Sequence, residues 1–374
     1  MVKEKRILFL NYEFPPLGGG AGNATYYILK EFSKNKNIKV DLVTSSIGGF
    51  QKEEFSKNIT IHYLDIKKRC NIHFQKNKDL LRYSWEAYKY SKKLAKENSY
   101  DLCHAFFGIP CGYIALKLKR KFKIPYIVSL RGSDVPGYNM RYKLPDRFVF
   151  KKMSRRIWRE AEHVVANSDG LKELANSKIS EQEISVIPNG IDLEEFKPKR
   201  KKKNNKKITL ISTGRLIERK GYDYLINAIS DLDDVELWLI GDGNLSGHLE
   251  LKAKKLNANV KFLGKRDHED IPYILSSADI FVLPSLNEGM SNSILEAMAL
   301  GLPIITTDTG GSEELIQDNG FIVKRGSSTK LKYPILEYIK DPKLIKKHGK
   351  KSREIAEGMG WDRVARDYLE LYEK

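Results

Sequence analysis

Glu288 and Glu296 stand eight positions apart in DIFVLPSLNEGMSNSILEAMALGLPIITTDTGGSEELI, residues 279–316. A pair of carboxylates accepts hydrogen bonds from neighbouring hydroxyls. Between them, the backbone N–H groups of Met290, Ser291 and Asn292 fall near the expected start of a helix, where an anion is favoured. Hydroxyl acceptors beside an anion site suit a ligand that carries both hydroxyls and phosphates, and a nucleotide sugar is such a ligand. A structural role for Glu296 stays open, because Ser293 to Glu296 fits the S-x-x-E pattern that closes a helix N-terminus. Upstream, Gly214-Arg215-Leu216 is followed by Lys220-Gly221. Arg offers a planar fork and Lys a compact charge, a combination suited to a diphosphate. The alternative is a pair of surface cations at a helix start, which is electrostatically unfavourable without an anion. Near the N-terminus, Pro15-Pro16 leads into Gly18-Gly19-Gly20. Glycines there let backbone N–H groups approach a phosphate closely, or simply make a turn.

These groups need elements to hold them. Residues 280–283 read as a buried strand ended by Pro284; a polar loop and an apolar helix over 294–300 follow, stopped by Gly301 and Pro303, and a second strand runs over 303–306. Strand, loop, helix and strand in so short a span form a βαβ unit of a parallel sheet, whose ligands bind at the carboxyl ends of the strands. The same alternation recurs with strands expected at 6–11, 39–44, 59–64, 102–105, 126–130, 163–166 and 184–187, and again from 208–212 through 235–240 and 260–263. Two doubly wound α/β domains follow, in keeping with a chain of 374 residues.

Composition narrows the classes. No apolar run approaches the ~18 residues of a membrane-spanning helix, and the apolar stretch 7–10 is too short for a signal peptide. A cytoplasmic protein is expected. Three cysteines, Cys70, Cys103 and Cys111, lack metal-site spacing and read as reduced thiols. The charge of +18, from 66 Lys and Arg against 48 Asp and Glu, favours a polyanionic partner or reflects a general excess of lysine. Residues 141–160 hold eight Lys or Arg against two carboxylates. With Tyr142, Phe148, Phe150 and Trp158 interleaved, they suit an anionic membrane surface or a solvated helix face. A second cluster, LKLKRKFK, spans 116–123. The run FKPKRKKKNNKK at 196–207 has eight basic residues and no acid, and reads as a solvated linker rather than a nucleic-acid tail, for it lacks stacking aromatics.

E-G-M-S-N-S-I-L-E-A-M-A resembles the E-x7-E signature of retaining glycosyltransferases of the GT-B fold, in particular glycosyltransferase family 4, and the likeness runs along nearly the whole chain. It implies two Rossmann-like domains facing a cleft. The first is expected over 1–195, with a helix at about 361–374 packing back on it; the linker spans 196–207 and the donor domain 208–360. The resemblance implies that Gly19 and Gly20 approach the donor, that Arg215 and Lys220 bind its diphosphate, that Glu296 holds the ribose hydroxyls and that Glu288 orients the sugar. Met290, Ser291 and Asn292 would bind substrate, and the loop with Lys265 and Arg266 would lie against the base. His104 matches the first His of a D-x-x-H-x-H element at the sugar site, although Phe106 replaces the second. In SLRGSDV, Arg131 stands where many relatives have a His. An Arg is no general base, and an anionic sugar, an acceptor phosphate or Asp134 are its open partners.

The implied activity is retaining transfer from a UDP- or GDP-linked sugar to a glycan or lipid-linked hydroxyl, with no metal or other cofactor because the cations and helix N–H groups take up the leaving charge. An anionic membrane surface is an expected partner and nucleic acid is not. A nucleotide-sugar epimerase or a phosphorylase-like enzyme is the alternative for such a two-domain fold.

Overall fold

A computed structural model describes residues 4–68, 77–138, 144–180, 182–198 and 207–373, the side chains of 144–147 excepted. It divides into two units, Met1–Asn189 with Trp361–Lys374, and Gly190–Gly360.

The first unit is built on β1 (Lys5–Leu10), β2 (Ile38–Ile47), β3 (Gln51–Ser56), β4 (Ile59–Lys68), β5 (Leu102–Phe106), β6 (Tyr126–Leu130), β7 (His163–Ala166) and β8 (Ile184–Val186). Their order is β3-β4-β2-β1-β5-β6-β7-β8. All neighbours are parallel except β3 and β4, which form an antiparallel hairpin. Ile7, Leu8, Phe9 and Leu10 are fully buried at the middle of this sheet, as a strand covered on both faces requires. Strand β3, QKEEFS, has no fully buried residue and no hydrophobic alternation to reveal it; charge suits it to the sheet edge. Helices α1 (Gly20–Phe32), α2 (Asn77–Glu97), α3 (Tyr113–Phe122), α4 (Leu144–Glu160) and α5 (Asp169–Lys178) connect the strands.

The second unit holds β9 (Ile208–Thr213), β10 (Val235–Ile240), β11 (Val260–Gly264), β12 (Ile280–Leu283), β13 (Ile304–Thr307) and β14 (Gly320–Val323). All are parallel in the order β11-β10-β9-β12-β13-β14. Its helices are α6 (Tyr222–Ile229), α7 (Ser246–Lys255), α8 (Ile271–Ser276), α9 (Asn292–Ala299), α10 (Ser312–Leu315), α11 (Ser328–Lys340) and α12 (Lys343–Glu357). The chain winds outward from β9 in one direction and from β12 in the other, so the loops after these two central strands open side by side at the switch point. Residues 190–195, read from sequence with the first domain, and Phe196, read with the linker, pack in this unit: Ile191 pairs with Gly360, and Arg353 donates to the carbonyl of the buried Phe196 at 3.0 Å. The basic run continues over 199–206, outside the described residues.

Helix α13 (Trp361–Glu373) returns to the first unit. Trp361 stacks on Tyr27 with ring centroids 5.5 Å apart, and Tyr368 and Tyr372 sit buried against β5 and β6. Among the described residues no helix is long and apolar enough to cross a membrane.

Candidate active site

The loop after β9 turns through a short 3-10 segment, Glu218–Lys220, and the left-handed Gly221 into α6. Gly221 has φ +67°, and a Cβ there would lie 2.1 Å from the carbonyl oxygen of Pro284. Only glycine lets the β9 loop approach the β12 loop this closely. The contact is extended by Leu286 N–H donating to Arg219 O at 2.8 Å.

This approach brings cations onto Glu288. Lys220 Nζ lies 2.6 Å from Glu288 Oε1 and Arg219 Nη1 3.3 Å from Oε2. Ser285 Oγ donates to Oε1 at 2.9 Å, while Arg219 also holds the Asn287 carbonyl at 2.8 Å. Burial pushes the Glu288 carboxyl up, but Lys220 and then Arg219 outweigh it and hold it below the usual carboxylate range. Glu288 is thus a fixed anion with both oxygens engaged. Arg215, at the end of β9, is exposed.

Glu296 meets a different environment. The helix begins at Asn292 with Ser291 as N-cap, and no side-chain cap bond is made. Glu296 therefore lies in the second turn, beyond the N3 position that a capping box requires, and the structural alternative for it falls away. Ser291 and Ser293 face each other instead, Oγ to Oγ at 3.0 Å. Burial raises the Glu296 carboxyl to about 7, with His268 and Lys220 pulling it down and Glu195 pushing it up. His268 Nε2 lies 3.0 Å from Glu195 Oε1, a bond that raises the His268 pKa. The side chain of Met290 is buried in the core of the unit, so only its backbone remains for a ligand. Arg266, after β11, is exposed.

The candidates of the first unit are arranged separately. Gly19 and Gly20 are exposed where the 13-residue α1 begins, with Gly19 as N-cap and its N–H donating to Glu13 Oε2 at 3.2 Å. His104 differs from expectation. It is fully buried, its Nδ1 is 2.6 Å from Tyr372 Oη, and its Nε2 is 2.7 Å from Ser129 Oγ. Burial lowers its pKa well below that of free histidine. With both nitrogens engaged, this neutral imidazole ties α13 to the sheet and has no atom left for a sugar. Arg131 follows β6; its guanidinium lies 4.7 Å from the Phe106 ring centroid and donates to Asn189 Oδ1 at 2.6 Å. Asp134, one expected partner, accepts the backbone N–H groups of Arg131 at 2.9 Å and Gly108 at 2.7 Å.

Arg219, Ser285, His268 and Glu195 escaped the sequence reading. Arg219 was legible in principle, as the neighbour of Lys220 in a loop already assigned to anions. Glu195 and His268 are 73 positions apart, and only the fold joins them.

Two family models cover the chain, Glycosyltransferase Family 4 over residues 18–195 and Glycosyl transferases group 1 over residues 194–355. An uncharacterized glycosyltransferase of Methanocaldococcus jannaschii is 26% identical over 372 residues, 99% of this chain and 98% of that protein. A GDP-mannose-dependent monoacylated alpha-(1-6)-phosphatidylinositol monomannoside mannosyltransferase of Corynebacterium glutamicum is 32% identical over 267 residues, 65% of this chain and 68% of its own. The solved structure of HepE from Anabaena, in complex with UDP and glucose, matches with a TM-score of 0.77 at 20% identity, covering 98% of this chain and 99% of that one. Two parallel-sheet α/β units with such a neighbour define the GT-B fold. The chain belongs to the group 1, family 4 glycosyltransferases, enzymes that transfer sugars.

Proposed function

We propose that the protein moves a sugar from a UDP- or GDP-linked donor to a hydroxyl of a glycan or lipid-linked acceptor, with retention of configuration and without a metal ion. The observation that carries this reading is the ion cluster of Lys220 and Arg219 on Glu288 at the switch point between β9 and β12. Arg215 and Lys220 would take up the charge that grows on the leaving diphosphate, helped by the N–H groups that open α9, so the chain's own donors supply what a metal would supply. Glu296 would accept the ribose hydroxyls. Glu288 would orient the sugar hydroxyls as an anion, and the donor phosphate would receive the acceptor proton on the same face. A covalent glycosyl-Glu288 intermediate fits less well, because a carboxylate with both oxygens bound to Lys220, Ser285 and Arg219 is a poor nucleophile. The relatives' names support the donor class: one mannosyltransferase uses GDP-mannose and HepE binds UDP.

The test is the anomeric configuration of the product, followed by proton NMR in the presence of EDTA. Inversion, dependence on added metal, or a sugar adduct on Glu288 in quenched enzyme would each refute its part.

The first unit supports a further part of the proposal, peripheral binding to anionic lipid. Leu81 and Trp85 on α2 are 72% and 71% exposed, and Phe148 and Val149 on α4 are 74% and 67% exposed. Lys151, Lys152, Arg156 and Arg159 accompany the second pair on the same helix. Trp158, by contrast, is fully buried and belongs to the core. Apolar side chains flanked by cations suit an interface rich in acidic headgroups. Equal partition onto anionic and neutral vesicles at low salt would sink this part.

A further inference from the structure

Strands β6 and β7 run parallel with Leu130 opposite Ala166, so the residues that follow, Arg131 and Asn167, are neighbours at the carboxyl edge of the first sheet. Each carries an unmet need. Among the described residues no carboxylate forms an ion pair with the Arg131 guanidinium. It is held by an amide oxygen, Asn189 Oδ1 at 2.6 Å, by the Tyr368 hydroxyl and by the face of Phe106 at 4.7 Å, all without formal negative charge. The acids in its field are occupied elsewhere, Asp134 by backbone N–H groups and Glu13 in part by Gly19. Burial depresses the Arg131 pKa, and Tyr368, Asp134 and Glu13 offset that only in part. Beside it Asn167 is 4% exposed, and its Oδ1 is buried with no hydrogen-bond partner. A buried cation with no carboxylate in direct contact, and a buried acceptor without a donor, both destabilise the free protein. One ligand relieves both if it offers an anion to Arg131 and an O–H to Asn167.

Resting on the reading of this chain as a sugar transferase, we infer that Arg131 and Asn167 form a subsite for an acidic sugar unit, with a carboxylate or phosphate on Arg131 and a hydroxyl on Asn167. A neutral sugar would leave the cation as it stands. The subsite thus makes the enzyme selective for an anionic glycan unit, and the fork of Arg131 suits either acid because both present two coplanar oxygens.

Titration of the full-length protein with methyl glucuronide, glucose 6-phosphate and methyl glucoside tests this, read by ligand-observed NMR. At least one acidic sugar is expected to bind ten times more tightly than the neutral one, and which of them does separates a carboxylate from a phosphate site. Arg131→Met should abolish the preference. Asn167→Asp should abolish it too and raise the melting temperature, since it supplies the absent counter-ion from within. Equal binding of acidic and neutral sugars, binding of none at millimolar concentration, or a preference that survives Arg131→Met overturns the inference. UDP and GDP titrated into the same preparations judge the donor reading separately. A protein that selects acidic sugars but binds neither nucleotide keeps the subsite and loses the transferase reading; one that binds a nucleotide but not acidic sugars does the reverse.

Discussion

Glu296 should make the second unit less stable as pH rises. Its carboxyl is raised from 4.5 to about 7, chiefly by burial. At about 1.4 kcal/mol for each tenfold change in proton affinity, keeping it ionised costs the folded state about 3 kcal/mol. Between pH 4.5 and 7 the folded chain holds a proton that the unfolded chain has released, so stability falls with rising pH over that window and levels off above it. Glu296→Gln removes the titration and keeps the shape. The stability difference between variant and wild type should grow from near zero at pH 4 to about 3 kcal/mol in favour of Gln at pH 8. Trp238 lies in β10 and is the one tryptophan of the four in the second unit, so urea unfolding followed by its emission, with the other three replaced by Phe, reports on this unit. A difference that stays flat from pH 4 to 8, or that shrinks, would refute the assignment of Glu296 as a strained, ligand-awaiting acid. UDP or GDP should bind more tightly as pH rises through 7, because ribose hydroxyls donate to the ionised form.

Other perturbations separate chemistry from support. Lys220→Met leaves Glu288, among the described residues, with Arg219 as its one paired cation; a loss of about 3 kcal/mol in stability and at least ~100-fold in kcat is expected by denaturation and product assay. His104→Phe should lower stability by ~1–3 kcal/mol, since Tyr372 and Ser129 lose their shared partner, with kcat per folded molecule nearly unchanged; loss of turnover without loss of stability would restore a role at the sugar. Gly221→Ala, at positive φ and against Pro284, should part the β9 and β12 loops and weaken nucleotide binding at least tenfold by calorimetry, with Ser230→Ala, at the C-cap of the helix that follows, as control.

Much of the second sheet and its loops was legible because buried parallel strands are short apolar runs with turn residues after them, Gly214 after β9, Gly241 after β10 and Pro284 after β12. Strand β3 was not, because a charged hairpin edge carries no hydrophobic period. β14, GFIV, is only half buried and equally faint. Glu288, Lys220 and Arg215 could be nominated from type and spacing, yet nothing in the spacing told that Lys220 reaches Glu288 or that Glu296 escapes capping. Both depend on the start of α9 and on one backbone approach at Gly221. His104 went astray for the opposite reason. Its motif was readable, but Tyr372, which bonds it, and Tyr368, whose ring packs 4.9 Å from its own, come from a helix more than 250 residues later, and they help make it an interior residue.

That late helix affects how the molecule is made. The first sheet is synthesised within the opening 189 residues, but His104, Ser129 and Tyr27 wait for α13 to cover them. Until α13 docks, the first unit stands unfinished, with the surface that Trp361, Tyr368 and Tyr372 cover open to water. The new chain therefore passes through a stage in which its earlier half is made but not closed, and a chaperone that shields that surface would act until α13 docks.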